Sequence, residues 1–296
     1  MQVIIGGGSG FLGTAIRRTL QQNGHKVTII SRTSGADRIT WNQLEKTGLP
    51  ECDAVVGLSG ENILNPLKRW NEQFQNEVRD SRLKTTASLV KAITQSTNPP
   101  KVFVNTSAIG IYPSSATEVY TEDFPAKDID YMTKLCIDWE EAARLPSNHK
   151  TRQVIVRTGL VLGKDGGAIQ QMIWPFWFGV GGVIGSGTQY FPWIHVDDLS
   201  GIFTHAIEND DVTGVLNGVS PKIVTNHGFT KAFGRALCRP TIFPLPGFVV
   251  NAMFGPDRGV MLLEGQNVKP KRTLESGYKY RYDDIDEALK EIVSSK

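Results

Sequence analysis

Short, largely apolar runs recur through the first half of the chain, at 3–5, 27–30, 54–58, 102–106 and 154–157. Apolar residues at successive rather than alternate positions mark strands buried on both faces. Between the runs, residues 14–22, 72–94 and 134–144 carry apolar positions at helical spacing and predict amphipathic helices. Strands and helices alternating in this way give a parallel sheet covered on both sides, an α/β doubly wound fold of Rossmann type. After Gly163 the pattern loosens. A Gly-rich aromatic segment spans 174–191, His195-Val196-Asp197-Asp198 opens another helix with Asp198 as its expected cap, and a further strand is expected at 215–219. A helix, a Pro-rich stretch and an amphipathic tail helix at 284–293 close the chain. The expected organisation is a nucleotide domain over 1–163, completed by about 195–220. Segments 164–194 and 221–296 would form a smaller C-terminal, substrate-side domain over the switch-point cleft. No internal repeat or low-complexity tract is visible.

The first strand runs straight into Gly6-Gly7-Gly8-Ser9-Gly10-Phe11-Leu12-Gly13, with a helical pattern behind it. A helix N-terminus carries unpaired N–H donors and partial positive charge, so this junction suits a pyrophosphate. Gly7 would permit the turn, Gly10 the close approach of phosphate and Gly13 the contact of helix with strand. Phe11 and Leu12, between them, would lie against the same ligand. The second strand ends at Ser31-Arg32. An Asp or Glu near this point would hydrogen-bond a ribose 2′-hydroxyl, whereas an Arg accommodates a 2′-phosphate. Ser31 and Arg32 can donate to that phosphate where a carboxylate would repel it, so the cofactor expected is NADP.

Composition narrows the alternatives. The 296 residues are 40% hydrophobic and carry a net charge of +2 with the charges dispersed. No basic stripe suggests nucleic acid, and no polybasic cluster suggests a membrane surface. The longest apolar stretch, 172–184, is broken by Pro and Gly and falls short of the roughly 20 residues of a bilayer span. Cys52, Cys136 and Cys238 show neither a disulfide framework nor metal-ligand spacing. With the first strand directly behind Met1, no targeting segment is expected, and the cytoplasm is the expected compartment.

Several further segments carry a family likeness: Leu58-Ser59-Gly60-Glu61-Asn62, Ser81-Arg82, Arg157-Thr158-Gly159-Leu160-Val161-Leu162-Gly163, Trp193-Ile194-His195-Val196-Asp197-Asp198-Leu199 and Leu262-Leu263-Glu264-Gly265-Gln266-Asn267-Val268-Lys269-Pro270. With the glycine turn, they resemble the extended short-chain dehydrogenase/reductases, the NAD(P)-dependent epimerase/dehydratase superfamily. More narrowly they look like its epimerase-like branch with a dedicated C-terminal domain. The resemblance covers essentially the whole chain. It implies a Rossmann fold binding NADP, with Leu58 and Ser59 against adenosine and ribose and Leu160 near the nicotinamide. Arg82 falls on the inward stripe of Val78, Thr85, Leu89 and Ile93, and a buried guanidinium needs a partner. That partner is a cofactor phosphate or ribose, or Glu77 just over one turn earlier; otherwise Arg82 reaches past the core edge to solvent.

Hydride-transferring members of this superfamily pair a Tyr acid/base with a Lys four residues on. Here Tyr131 is followed by Leu135, and Lys134 sits three residues on, about 100° away around the helix. Aligning Glu140 with the acid that closes the motif puts Met132 and Cys136 in the Tyr and Lys places. The pair is absent in either register. Ser107, or Ala108 if the register slips by one, matches the substrate-facing hydroxyl position, and Ser107 is the candidate catalytic residue. Trp174, Trp177, Phe178, Tyr190 and Phe191 would line an apolar substrate pocket or else a core. Two functions follow: an NADP-dependent oxidoreductase or epimerase-like enzyme on a small carbonyl or hydroxyl substrate, or an NADP(H)-binding sensor or scaffold without chemistry.

Overall fold

The structure, a computed structural model, describes residues 1–65 and 67–294. In chain order the elements are β1 Gln2–Gly6, α1 Phe11–Gln22, β2 Lys26–Ser31, β3 Arg38–Thr40, α2 Trp41–Thr47, β4 Ala54–Gly57, α3 Glu72–Thr94 and β5 Val102–Ala108. After a short 3₁₀ turn at Ile109–Ile111 come β6 Val119–Tyr120, α4 Tyr131–Ala142, β7 Arg152–Thr158, β8 Leu160–Gly163, α5 Gly167–Trp177, β9 Tyr190–Phe191, β10 Trp193–His195 and α6 Val196–Glu208. The remainder is β11 Gly214–Gly218, β12 Val224–Thr225, α7 Asn226–Leu237, α8 Gly247–Phe254, α9 Pro256–Leu263, β13 Asn267–Val268, α10 Lys271–Glu275 and α11 Ile285–Ser294.

Seven strands form one parallel sheet in the order β11-β7-β5-β4-β1-β2-β3. Continuous apolar strands make this possible because both faces are covered. Val3 and Ile5 point into a core with Ile16, Leu20, Ile202 and Phe203 from α1 and α6. Ile4, between them, points to the opposite core with Leu44, Leu89 and Ile93 from α2 and α3. The chain leaves β1 outward to β2 and β3, then returns across it to β4. The carboxyl ends of β1 and β4 therefore flank a topological switch point, the crevice where such sheets hold ligands.

A second core lies beyond the sheet: Leu162, Ile169, Phe176, Trp193, Phe229 and Phe233 pack with Leu289 and Ile292 of α11. Burying each of these large side chains contributes about 1.5–3 kcal/mol. The tail is tied to α6 by Asp198, which the sequence suggested as a helix cap. Its carboxylate instead accepts from Arg281 N at 2.7 Å, Tyr282 N at 2.8 Å and the Tyr278 hydroxyl at 3.1 Å. Three donors satisfy a charge that would otherwise be costly to bury. The cap of α6 is His195, whose Nδ1 accepts from Asp197 N at 3.1 Å while Nε2 meets Glu291 at 3.0 Å.

Local signals explain where the elements begin. Asn71 caps α3 by accepting from Phe74 N at 2.9 Å. Helix α4 opens at Tyr131, three residues before the helical pattern at 134, because Asp130 and Thr133 close a capping box. The 174–191 stretch expected to be irregular begins inside α5, which tolerates Pro175 near its end. β3 and α2 lack a strong periodic pattern; a Thr40–Gln43 capping box starts the helix.

Candidate cofactor site

Gly7 leaves β1 at φ +82°, a conformation that a side chain disfavours, and its N–H donates to Ile30 O at 3.1 Å. A Cβ on Gly7 would lie 2.8 Å from Ser59 Oγ and 2.9 Å from Ser59 N, so the turn fits flush against the end of β4. Gly13 has no more room. A Cβ there would sit 2.5 Å from Gly8 Cα and 2.7 Å from Gly7 O, against the turn itself rather than against the strand. Gly10 is different, since nothing in the protein comes nearer its missing Cβ than Gly7 O at 3.7 Å. It is the N-cap of α1 and offers no side chain to the first-turn N–H groups, and no acid occupies that turn. The donors are left for a ligand. Phe11 opens α1 under the β8–α5 turn, against Gly163 and Gly166, and Leu12 packs on the core beneath.

At the end of β2, Arg32 is exposed, while the buried Ser31 turns its hydroxyl onto the carbonyl of Thr33. That hydroxyl proton is committed to the loop, which leaves the guanidinium as the free donor. At the end of β4, Leu58 N is held by Gly6 O at 2.9 Å. Ser59 Oγ is buried with no hydrogen-bond partner among the described residues. A buried hydroxyl left unpaired costs about 1–3 kcal/mol, so an unpaired hydroxyl at this strand end suits a ligand atom.

Arg82 reaches this end from α3. Its guanidinium covers Gly60, lies 5.1 Å from the Trp139 ring and donates to Val78 O at 3.0 Å. Burial pulls its pKa below the ordinary guanidinium value. Among the described residues no carboxylate pairs with it: Glu77, one of the two partners considered, faces solvent and bonds Lys68 instead, which holds the Glu77 carboxyl below its usual range. Glu77 is thus held at the surface by Lys68 and turned away from Arg82. Leu160 lies just past the end of β7. It opens β8, its N–H held by Pro192 O at 2.8 Å and its register set by Trp193 of β10.

Ser107 is 2% exposed on β5, and its Oγ, like that of Ser59, has no partner among the described residues. Across from it, α4 presents Met132 and Cys136 to the 3₁₀ turn: a Cβ on Gly110 would meet Met132 Cε at 3.2 Å and Cys136 Sγ at 3.6 Å. These are the Tyr and Lys places in the register that aligns Glu140 with the acid closing the motif. Tyr131 points elsewhere, to Gln75 O at 2.8 Å, and Lys134 pairs with Asp138 on the surface. Burial pushes the Cys136 thiol up to about 12, so it is neutral and unreactive at physiological pH.

Beneath this end lies a polar network that motif reading did not assign. Arg157 of β7 forks onto both carboxylate oxygens of Glu140, at 2.8 and 2.9 Å, and donates to the Tyr112 hydroxyl at 2.9 Å. The Tyr112 hydroxyl in turn donates to Asn217 Oδ1 at 2.8 Å. Burial opposes the Arg157 charge, but the bonds and field of Glu140 outweigh it and raise the pKa. The pair could have been suspected from Arg157 lying in an apolar strand, where an unpaired charge is not tolerated. The aromatic residues expected around a pocket divide. Phe191 stacks on Phe229 at 4.2 Å, Tyr190 is half-buried, and Trp174, Trp177 and Phe178 are exposed. Among the described residues there is no cluster of metal-ligating side chains and no helix long and apolar enough to cross a membrane, and the three cysteines are unpaired.

Comparison with known proteins agrees with this geometry. The profile of the NAD dependent epimerase/dehydratase family matches residues 3–217, and a domain of unknown function, DUF1731, matches 245–292. The chain is 54% identical over 294 residues to the human epimerase family protein SDR39U1, covering 99% of this chain and 100% of that one. A chloroplastic homologue from Arabidopsis thaliana is 34% identical over 307 residues, covering 99% and 87%. The crystal structure of human SDR39U1 (isoform 2) with NADPH superposes with a TM-score of 0.98, covering 100% of both chains at 54% identity. Glycine turn, parallel sheet and matched length together place this chain in the NAD dependent epimerase/dehydratase family.

Proposed function

We propose that the chain binds NADP(H) across the β1/β4 switch point and is an NADP-dependent oxidoreductase or epimerase-like enzyme for a small carbonyl or hydroxyl substrate. The observation that carries the cofactor is the uncapped N-terminus of α1 above the Gly7 turn, facing the unpaired Ser59 hydroxyl. The human relative, solved with NADPH, supports the same choice. The first-turn N–H groups would take the pyrophosphate, Arg32 the 2′-phosphate, Leu58 and Ser59 the adenosine side, and Arg82 a phosphate or ribose. Bound there, the cofactor supplies a hydride at its nicotinamide. The protein positions the substrate carbonyl, and the unpaired Ser107 hydroxyl is the group able to donate a hydrogen bond to it. Neither Met132 nor neutral Cys136 moves a proton, so the proton comes through Ser107, an ordered water or the substrate itself.

The second reading, a binder without turnover, is favoured by the same filled places at Met132 and Cys136. One experiment separates them. NADPH is titrated by its own fluorescence, and NADPH carrying deuterium at C4 is then incubated with a panel of aldehydes and ketones. Binding with deuterium appearing in a product supports the enzyme. Binding without transfer to any carbonyl moves the function to the sensor, and absence of binding removes both.

A further inference from the structure

One side chain of the C-terminal half reaches back to the wall of the crevice. Arg258 of α9 is 4% exposed, and its donors go to main-chain carbonyls: Nε to Phe254 O at 3.0 Å, Nη1 to Asn65 O at 3.1 Å and to Ile63 O at 3.5 Å. The last two lie 193 and 195 positions earlier in the chain. The guanidinium stands 5.8 Å from the rings of both Trp70 and Phe254, and no carboxylate among the described residues pairs with it. Helix α9 is itself packed close on α8, since a Cβ on Gly259 would strike Asn251. Ile63 and Asn65 belong to the chain that leaves β4 by way of Leu58 and Ser59. Its start is tied to α3, where Glu61 N donates to Ser81 Oγ at 2.9 Å. Farther on, Ile63 and Trp70 pack with Val78 and Leu135, and Trp70 stands edge-on to Tyr131 at 5.1 Å. Tyr131 opens α4 one residue before Met132. One wall of the crevice thus runs from the Ser59 end to the chemical end, and residues 62–65 are a part of it that lies in no strand or helix.

We infer that Arg258 is a positioning residue, by which the C-terminal half fixes residues 63–65 and so keeps the cofactor in the crevice. Carbonyls outside a sheet or helix still need donors where water is excluded, and here two of them share one guanidinium. Burying that cation is costly unless its N–H groups are satisfied. Its bonds to main chain, with no carboxylate involved, set the course of the backbone rather than neutralise a charge. A Lys could not do the same. An ammonium is a point charge, without the planar fork that reaches two carbonyls while lying between two rings. Without the clasp, the chain behind Ser59 is free to swing away from the crevice, and the bound dinucleotide leaves sooner. The inference rests on the cofactor reading, because the wall in question is the one that carries Ser59.

Stopped-flow release of NADPH from the full chain, followed by its fluorescence on mixing with excess NADP⁺, tests this. Arg258→Met should release NADPH about tenfold faster or more, the effect of losing a hydrogen bond to a charged donor. Its melting temperature should also rise less on saturation with NADPH than that of wild type. Arg258→Lys keeps the charge and should stay nearer to Arg258→Met than to wild type. Release at the wild-type rate from Arg258→Met overturns the inference, as does a melting temperature that falls equally with and without NADPH, since either makes the residue merely structural. Full recovery by Lys overturns it too, because charge alone would then suffice. Should Arg258→Met not fold, hydrogen exchange of wild type decides. NADPH should slow the amides of 61–65 and of 256–263 together, and protection of the first set alone rejects the clasp. A wild type that does not bind NADPH removes the cofactor reading and this inference with it.

Discussion

The two ends of the crevice are built from different materials. At the β1–α1 end, recognition rests on backbone: a left-handed Gly7, a helix start without a cap, and glycines whose neighbours leave no room for a Cβ. At the β5–α4 end it rests on side chains, and Met132 and Cys136, which face the 3₁₀ turn there, take the places of the family's acid/base pair in the register that aligns Glu140. A backbone site is lost only by distorting the fold, whereas a side-chain site is lost with two substitutions. Cofactor binding and proton transfer are therefore separable in this architecture, and the first can persist when the second is altered.

The largest expected effect asks whether the altered end is still a committed structure. Arg157 and Glu140 are joined there by a two-pronged buried pair with Tyr112 above it. Removing one partner of such a pair strands the other charge and costs about 3–5 kcal/mol. Arg157→Met should lower stability by that amount in urea or thermal unfolding, with NADPH stabilising wild type and variant alike. A change under about 1 kcal/mol would mean that the nicotinamide end is loosely organised, and the contrast between the ends would weaken.

Gly13→Ala probes the backbone end. Its Cβ would meet only backbone, Gly8 Cα, Gly8 C and Gly7 O, so the turn must shift rather than a side chain give way. NADPH affinity measured by calorimetry should fall by about a hundredfold, or 2.7 kcal/mol. Gly10→Ala is the sharper companion, because its Cβ meets nothing in the protein nearer than 3.7 Å. It should fold with a melting temperature near wild type and still lose about tenfold in affinity, since only an occupant can object to the methyl group. Equal affinities for Gly10→Ala and wild type would take the pyrophosphate away from this turn.

Arg32→Ala comes next in size. A charge-assisted bond contributes about 1.5–3 kcal/mol, so NADPH should weaken by about 10- to 100-fold while NADH changes little. A parallel loss for both cofactors would place the guanidinium on a shared phosphate instead.

The unequal legibility of the two ends has the same physical origin. Glycine spacing behind a strand and apolar strands read directly because they report local backbone geometry, whereas the caps Asn71 and Asp130 show only in the structure. The sheet's core strands and helix α3 follow from the pattern alone, and the short edge pieces β3 and α2 do not, because few buried residues register there. Side-chain destinations at the far end depend on tertiary neighbours. Glu77 could be placed one turn from Arg82, but not against Lys68, nine residues earlier on a loop. Ser31 could be read as a donor, yet its choice of Thr33 O is a matter of loop closure. Asp198 looked like a cap until the tail residues 278–282, some eighty positions on, folded back to claim it. Arg157 carried a signal that was visible, a charge in a buried strand, but not the identity of its partner.

The smallest effect bears on Cys136, which stands in the lysine place. Its thiol is pushed up to about 12 by burial, against about 8.5 for an unfolded chain. The folded state therefore holds a proton that the unfolded state releases between those two values. The sign follows: this contribution is complete below about pH 8.5 and is lost as pH rises towards 12, at up to about 1.4 kcal/mol per pH unit. Unfolding free energies at pH 8 and pH 10 should show that decline, and Cys136→Ala should flatten it by its own share without changing NADPH affinity. At pH 8, iodoacetamide should modify the exposed Cys238 and leave Cys136 intact in the native protein. Rapid alkylation of Cys136, or a pH slope untouched by its removal, would show an ionisable thiol facing the crevice. The altered end would then hold a proton-transfer group after all, and the contrast between a binding end built on backbone and a side-chain end without its acid/base pair would have to be redrawn around that sulfur.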